Sequence, residues 1–301
     1  MVALYRNFET RAEIDKEYDV EQSVPDFMVY ARDYEGSSAA TRRRLNHNSD
    51  LRYGATIEEY IDIFPAERPN APVLIFIHGG YWRILSAKEF SFVAQGPQSA
   101  GVTTVIVNYA LCPKVTLDEI VRQIRAAIQW THANIRDFNG DPDRLYVSGH
   151  SAGGHMTAMS LLTDWQADYR LPKNVIKGGI SISGLFDIAP LQHSFMQKEL
   201  RLDPAIIERN SPQYKVHSVS TPLLITYGGD ETPEFSRQSE DFSKAWAAKG
   251  NKVRRVSLPG KNHFNAISGF GDSQSPLCQA IFKLMNFMPR RASAFLSRRH
   301  K

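Results

Sequence analysis

The sequence predicts a single α/β domain: a mostly parallel central sheet with helices on both faces and a small cap. Three observations carry this reading. Apolar runs of strand length recur at 73–77, 103–107, 145–147, 176–182, 222–227 and 253–258. Stretches with helical spacing fall between them, and such alternation over ~230 residues gives parallel strands joined by crossover helices. Polar clusters follow three of the runs directly, where ligands of open α/β sheets bind. At 301 residues, 42% hydrophobic and 23% charged, the chain can bury one large core. It shows no internal repeat and no composition break. The expected organisation is an extension at 1–50 belonging to the cap, a body at 51–289 with a cap insertion near 185–220, and a basic tail at 290–301.

In chain order, residues 10–34 are charge-rich with spaced apolar positions, and read as a helical or irregular appendage laid over the body. Residues 37–48 read as a loop, or a helix carrying the basic run Arg42, Arg43 and Arg44. YIDIF at 60–64 alternates and stops at Pro65, a strand signal. VLIFI at 73–77 and TTVIV at 103–107 are continuously apolar, as central strands covered on both faces must be. Residues 87–100 have the length of a crossover helix between them. Residues 117–135 place Ile120, Val121, Ile124, Ala127 and Ile128 at helical spacing, and Thr116 with Glu119 predicts a capping box. A short strand end at 145–147 is followed by a tight turn and a helix at 152–162. Residues 185–220 lack sheet rhythm and fit a cap of helices and loops. The pattern closes with a strand at 222–227, a helix at 235–248, a strand at 253–258 and a helix at 277–288.

The formal net charge of +4 is concentrated in the tail at 290–301, which holds five Lys/Arg and no acid. Without it 31 basic residues face 32 acidic ones, so the basic balance marks a solvated tail rather than a nucleic-acid surface. Cys112 and Cys278 are too few for a disulfide framework and read as buried free thiols. No signal peptide is evident at the N-terminus, and no apolar run approaches the ~20 residues that span a bilayer. The expected protein is soluble and cytoplasmic, acts on a small molecule, and engages neither membrane nor nucleic acid.

The chemistry centres on Gly149-His150-Ser151-Ala152-Gly153, a G-x-S-x-G match between the strand at 145–147 and the following helix. On such a turn the serine hydroxyl is exposed at the carboxyl end of the sheet. Alone the pattern is weak, since chance produces it in about one 300-residue chain in ten. The three clusters raise it. HGGYW at 78–82 follows the first central strand, and its glycines let backbone N–H groups turn toward the site. We assign the oxyanion donors to the N–H groups of Gly80, Tyr81 and Ala152. YGGDE at 227–231 supplies a carboxylate to orient a histidine; Asp230 is preferred as nearer the strand end, with Glu231 the alternative. His263 lies on a loop after the last strand and completes the order serine, acid, histidine. His150 reads as a structural neighbour within the turn, and His155 as a helix residue too constrained to move a proton. No H-E-x-x-H, no Cys/His ligand spacing and no phosphate-binding glycine loop occurs, so neither metal nor cofactor is expected.

HGGYW at 78–82, GHSAGG at 149–154, Gly229-Asp230 and Asn262-His263-Phe264 together resemble the kynurenine formamidase (arylformamidase) family of α/β-hydrolases, near the hormone-sensitive-lipase-like esterases. Tyr53-Gly54, DIFP at 62–65 and Tyr109 through Pro113 extend the resemblance over about residues 50–270. Those esterases carry glycine and aspartate where this chain has Tyr81 and His150, which favours the formamidase branch. The resemblance implies an α/β-hydrolase fold and a serine hydrolase removing a small acyl group, formyl above all, from an aryl amine through an acyl-serine. Ser151 would be the nucleophile, His263 the base and Asp230 its orienter. Tyr81 and Trp82 would provide an aromatic wall for the substrate. A broad carboxylesterase and a non-catalytic binding protein are the alternative readings.

Overall fold

Runs buried on both sides can only be central strands, and the computed structural model, which describes residues 3–288, places them there. The tail at 290–301 lies outside the described residues. Eight strands form one sheet: β1 (Asn48–Arg52), β2 (Tyr60–Phe64), β3 (Ala71–Ile77), β4 (Thr103–Val107), β5 (Gly140–His150), β6 (Ile176–Ile182), β7 (Leu223–Gly228) and β8 (Val253–Leu258). Their spatial order is β1-β2-β4-β3-β5-β6-β7-β8. β2 runs antiparallel to both β1 and β4, while the pairings from β4 through β3, β5, β6 and β7 to β8 are all parallel. This is the α/β-hydrolase fold.

Strand periodicity divides the core. In β3, Ile75 and Ile77 join one cluster, with Val105 and Val147 from neighbouring strands. Leu74 and Phe76, pointing the other way, join Ile106 and Tyr146 in a second. The first is covered by α4 (Leu117–Asn134), α5 (Ala152–Leu161) and α9 (Pro233–Ala248), through Ile124, Met156 and Trp246 among others. The second is covered by the 3-10 helix Ala87–Ala94, by α3 (Gln95–Ala100) that continues it, and by α10 (Pro276–Leu284). The remaining helices are α6 (Trp165–Tyr169), and α7 (Gln197–Leu200) and α8 (Pro204–Asn210) within the cap insertion. Cys112 and Cys278 are buried and unbridged. Among the described residues no helix is long and apolar enough to cross a membrane.

Two local readings need correction. Asn48-Ser-Asp-Leu-Arg52 is an edge strand, exposed along most of its length and so without an apolar signature; the body therefore begins at Asn48. The Thr116 hydroxyl does accept from the Glu119 N–H, at 3.4 Å, but the reciprocal half of the box is absent. The Glu119 carboxylate instead accepts from Arg122 and Gln123.

The N-terminal extension folds as α1 (Arg11–Tyr18) and α2 (Phe27–Arg44), both laid on the body. Tyr18 is fully buried, donating to Glu234 Oε2 at 2.6 Å and accepting from Gln238 Nε2 at 2.8 Å. The Tyr81 hydroxyl donates to the Tyr18 carbonyl at 2.6 Å. Ser38 of α2 donates to the Glu89 carbonyl at 2.7 Å, and Arg42 donates to that of Lys88. Phe195 of the cap insertion donates its N–H to Asp15 Oδ1 at 2.7 Å, joining the two parts of the cap.

Candidate active site

Ser151 sits between the last residue of β5 and the first of α5, with φ 56° and ψ −117°. A positive φ on a residue with a Cβ is strained, and it holds the side chain clear of both elements. The turn is possible because α5 approaches β3 through a glycine. A Cβ on Gly153 would lie 1.9 Å from the Ile77 carbonyl oxygen. Gly153→Ala must therefore push helix from sheet, and is expected to destabilise the protein by about 3 kcal/mol or more. Urea unfolding of the variant checks this; an unchanged midpoint would show that the helix can shift freely.

His263, on the loop after β8, reaches over this turn. Its Nε2 accepts from Ser151 Oγ at 3.0 Å, and its Nδ1 lies 2.8 Å from Glu231 Oε2. The carboxylate in this array is thus Glu231 and not Asp230. Asp230 is exposed, and its N–H donates to the Lys261 carbonyl at 2.9 Å, fixing that residue on the outside of the turn. Glu231 follows on the inside, its side chain 1% exposed. Its other oxygen accepts from Ser183 Oγ at 2.6 Å and from the Gly228 N–H. Ser183 itself has φ 51° just beyond β6, a placement that nothing local in the sequence signals.

The loop holding His263 is clamped by the N-terminal extension. Tyr34 donates to the Phe264 carbonyl at 2.5 Å, Tyr30 stacks on the Phe264 ring at 5.3 Å, and Asn262 Nδ2 donates to the Tyr30 hydroxyl at 2.7 Å. His150 fastens the same loop from below, donating from Nε2 to the His263 carbonyl at 2.8 Å. Burial and the neighbouring His263 hold His150 well below the usual histidine range, so the ring is neutral. His155 donates from Nε2 to the Asn210 carbonyl at 2.6 Å, and burial pushes it down to about 4. Both are structural neighbours of the elbow, as their positions in the sequence suggest.

Ser151 and His263 open into a cavity of about 590 Å³. Gly79, Gly80 and Tyr81 line it on the sheet side; Phe27, Met28 and Ala31 of α2 and Phe195 of the cap insertion line it opposite. The extension and the insertion therefore both contribute residues to the cavity wall. Gly80, Tyr81 and Trp82 all have positive φ, at 108°, 48° and 57°. A Cβ on Gly80 would come within 2.2 Å of the Ile84 carbonyl oxygen, so this turn requires glycine. Among the described residues no backbone group accepts from the N–H of Gly80 or Tyr81. The Ala152 N–H, in the first turn of α5, has no partner within its helix.

The turn sends Tyr81 and Trp82 different ways. Tyr81 borders the cavity, whereas Trp82 is fully buried, edge-on to His155 at 4.9 Å, and is no part of the cavity wall. The expectation that both form a substrate wall is thus corrected for Trp82: consecutive left-handed residues place the indole in the core. Among the described residues no group of three or more His, Cys, Asp or Glu side chains is placed to hold a metal ion.

Comparison with known proteins agrees with this fold. The family model described as BD-FAE matches residues 61–246. Kynurenine formamidase of Danio rerio is 32% identical over 243 residues, which cover 78% of this chain and 81% of that one. Esterase LipQ of Mycobacterium tuberculosis is 27% identical over 74% of this chain and 58% of its own length. Among solved structures, a Silicibacter sp. TM1040 protein assigned as a thioesterase superposes with a TM-score of 0.79 at 29% identity, covering 89% of this chain and 98% of that one.

Proposed function

Because the chain belongs to the kynurenine formamidase family of α/β-hydrolases, we propose that it hydrolyses the formyl group from an aryl amine of the N-formylkynurenine type. The observation that carries this reading is His263 held between Ser151 Oγ and Glu231 Oε2 at hydrogen-bond distance on both sides. Glu231 fixes the tautomer in which Nδ1 carries the proton, leaving Nε2 as the base. Ser151 then attacks the formyl carbonyl while His263 takes its proton. The N–H groups of Gly80, Tyr81 and Ala152 receive the developing oxyanion, each such donor contributing about 3 kcal/mol to the transition state. His263 returns the proton to the leaving arylamine, and water hydrolyses the formyl-serine by the same steps in reverse.

The apolar roof of Phe27, Met28 and Phe195 suits a flat aromatic leaving group. A second reading, a broad esterase for short acyl or aryl esters, is favoured by the likeness to Esterase LipQ. The two are separated by kcat/KM on N-formylkynurenine and on p-nitrophenyl acetate, each with wild-type and Ser151→Ala protein. The formamidase reading expects the formamide to be preferred by at least tenfold, with both activities lost in the variant. A preference for the ester by orders of magnitude would reverse the order of the readings. Inactivity on both would sink them together.

A further inference from the structure

We propose that His150 sets the preference of this site for anilides over esters, its Nδ1 accepting a hydrogen bond from the N–H beside the scissile bond. The role rests on the formamidase reading for its substrate, and names the feature by which the site tells an amide from an ester. Among the described residues the His150 ring makes one hydrogen bond, from Nε2 to the His263 carbonyl at 2.8 Å. A carbonyl oxygen only accepts, so Nε2 carries the ring proton. Burial and the neighbouring His263 keep the ring neutral, which leaves Nδ1 with a free lone pair.

That lone pair is open to the cavity. His150 lines it together with Gly79, Ser151 and His263. Its Nδ1 has no partner among the described residues and yet is not sealed, unlike the orphaned ring nitrogens of His78 and His155. The point where a Cβ on Gly79 would stand lies 3.2 Å from His150 Nδ1 and 3.2 Å from Ser151 Cβ, so acceptor and nucleophile border the same small space. The rings of His150 and His263 lie 4.7 Å apart, centre to centre, which sets the acceptor beside the group that protonates the leaving atom. The carboxylates that also line the cavity are engaged elsewhere or exposed: Glu89 accepts from Ser86, Asp19 accepts from Gln22, and Glu21 and Glu35 face solvent.

An amide needs this acceptor at one step where an ester does not. When Ser151 Oγ bonds to the formyl carbon, the nitrogen lone pair is no longer conjugated with the carbonyl. It must then face His263 Nε2 to take the proton that the serine gave up. Gripping the N–H through Nδ1 turns the lone pair that way. The C–N bond then breaks with its electron pair going to nitrogen, and the arylamine leaves with its own hydrogen and the one from His263. An ester oxygen carries two lone pairs and no hydrogen, so one of them meets the imidazolium without being steered. An aspartate at position 150 could accept from the substrate, but a carboxylate could not donate to the His263 carbonyl. Histidine does both.

The test measures kcat/KM on formanilide, on N-methylformanilide, which lacks the N–H, and on phenyl formate, the matching ester. Wild-type protein is expected to cleave N-methylformanilide about tenfold less efficiently than formanilide, or worse, as the loss of one hydrogen bond implies. His150→Gln can still donate to the His263 carbonyl but offers no acceptor at the Nδ1 position. In it the ratio of formanilide to phenyl formate is expected to fall about tenfold. His150→Asn keeps an acceptor near that position and gives up the bond to the loop, so it is expected to lower both substrates together and hold their ratio within about threefold. Equal losses on formanilide and phenyl formate in folded His150→Gln, or a wild type indifferent to N-methylation, would overturn the proposal and leave His150 a fastener of the loop. If wild-type protein cleaves phenyl formate but not formanilide, the formamidase reading fails, and formanilide is measured instead as an inhibitor of ester cleavage. A Ki that rises about tenfold in His150→Gln then upholds the acceptor, and an unchanged Ki or no inhibition rejects it.

Discussion

Ser151→Ala protein is expected to fold as the wild type does and to lose kcat by about 10⁴- to 10⁶-fold, the range seen when a serine nucleophile is removed. Its stability should survive because the elbow depends on close approach at Gly153 and on the backbone, not on the hydroxyl. The Ser151 N–H donates to the Ile182 carbonyl at 2.8 Å whatever the side chain. Alanine accepts the positive φ at a cost similar to that of serine. The hydroxyl's one side-chain bond is to His263 Nε2, and losing it leaves no buried charge unpartnered. Oxyanion donors and substrate binding stay in place, so a residual rate above the uncatalysed reaction is expected. Single-turnover kinetics and the thermal midpoint check both halves. A variant within tenfold of wild type would eliminate the acyl-serine route and leave direct attack by water, with His263 as its base.

The legible parts of the fold are those whose signal is local. β3 and β4 are covered on both faces, so their residues are apolar or β-branched, and VLIFI and TTVIV announce themselves. α4 buries one face against the first core cluster, and its isoleucines keep helical spacing. β1 could not be read in this way. It lies at the sheet edge, is mostly exposed, and pairs only with β2, whose Asp62 Oδ1 also accepts from the Asp50 N–H. The N-terminal extension was legible as helical, but not its purpose. Tyr30 and Tyr34 meet the His263 loop across more than 200 residues, and no pattern within α2 records that contact.

The site divides on the same line. Ser151 and His263 follow from a local motif and from chain order, because a parallel sheet places the ends of successive strands side by side. The turn at 79–82 follows from paired glycines. Ser183 and the inward-turned Glu231 depend on how single residues are set within their turns, and the sequence lists those residues without that geometry. The same is true of Trp82, whose indole would have bordered the substrate in an extended backbone and lies in the core because two left-handed residues precede Arg83.

Glu231→Gln is expected to lower kcat/KM by about 10³- to 10⁴-fold, while Asp230→Asn stays within about threefold. Replacing the orienting carboxylate of a serine-histidine pair with its amide typically costs about 10⁴ in kcat, because an amide can present its NH₂ to Nδ1 and hold the wrong tautomer. Glu231 is placed to show this in full. It is buried, 2.8 Å from His263 Nδ1, and its second oxygen is engaged by Ser183 and Gly228, so the amide cannot turn away at no cost. Asp230, exposed at the tip of the turn, is tied in through its backbone, which the substitution keeps. Glu231→Asp should fall between the two, because the shorter side chain keeps the charge but must give up either His263 or Ser183. Ser183→Ala tests the anchoring directly: a loss of about tenfold in kcat with KM unchanged is expected if Glu231 needs its second contact to stay aimed at His263. Should Asp230→Asn prove the more damaging variant, the turn after β7 must rearrange on substrate binding, and the carboxylate seen beside His263 would not be the one that serves the reaction.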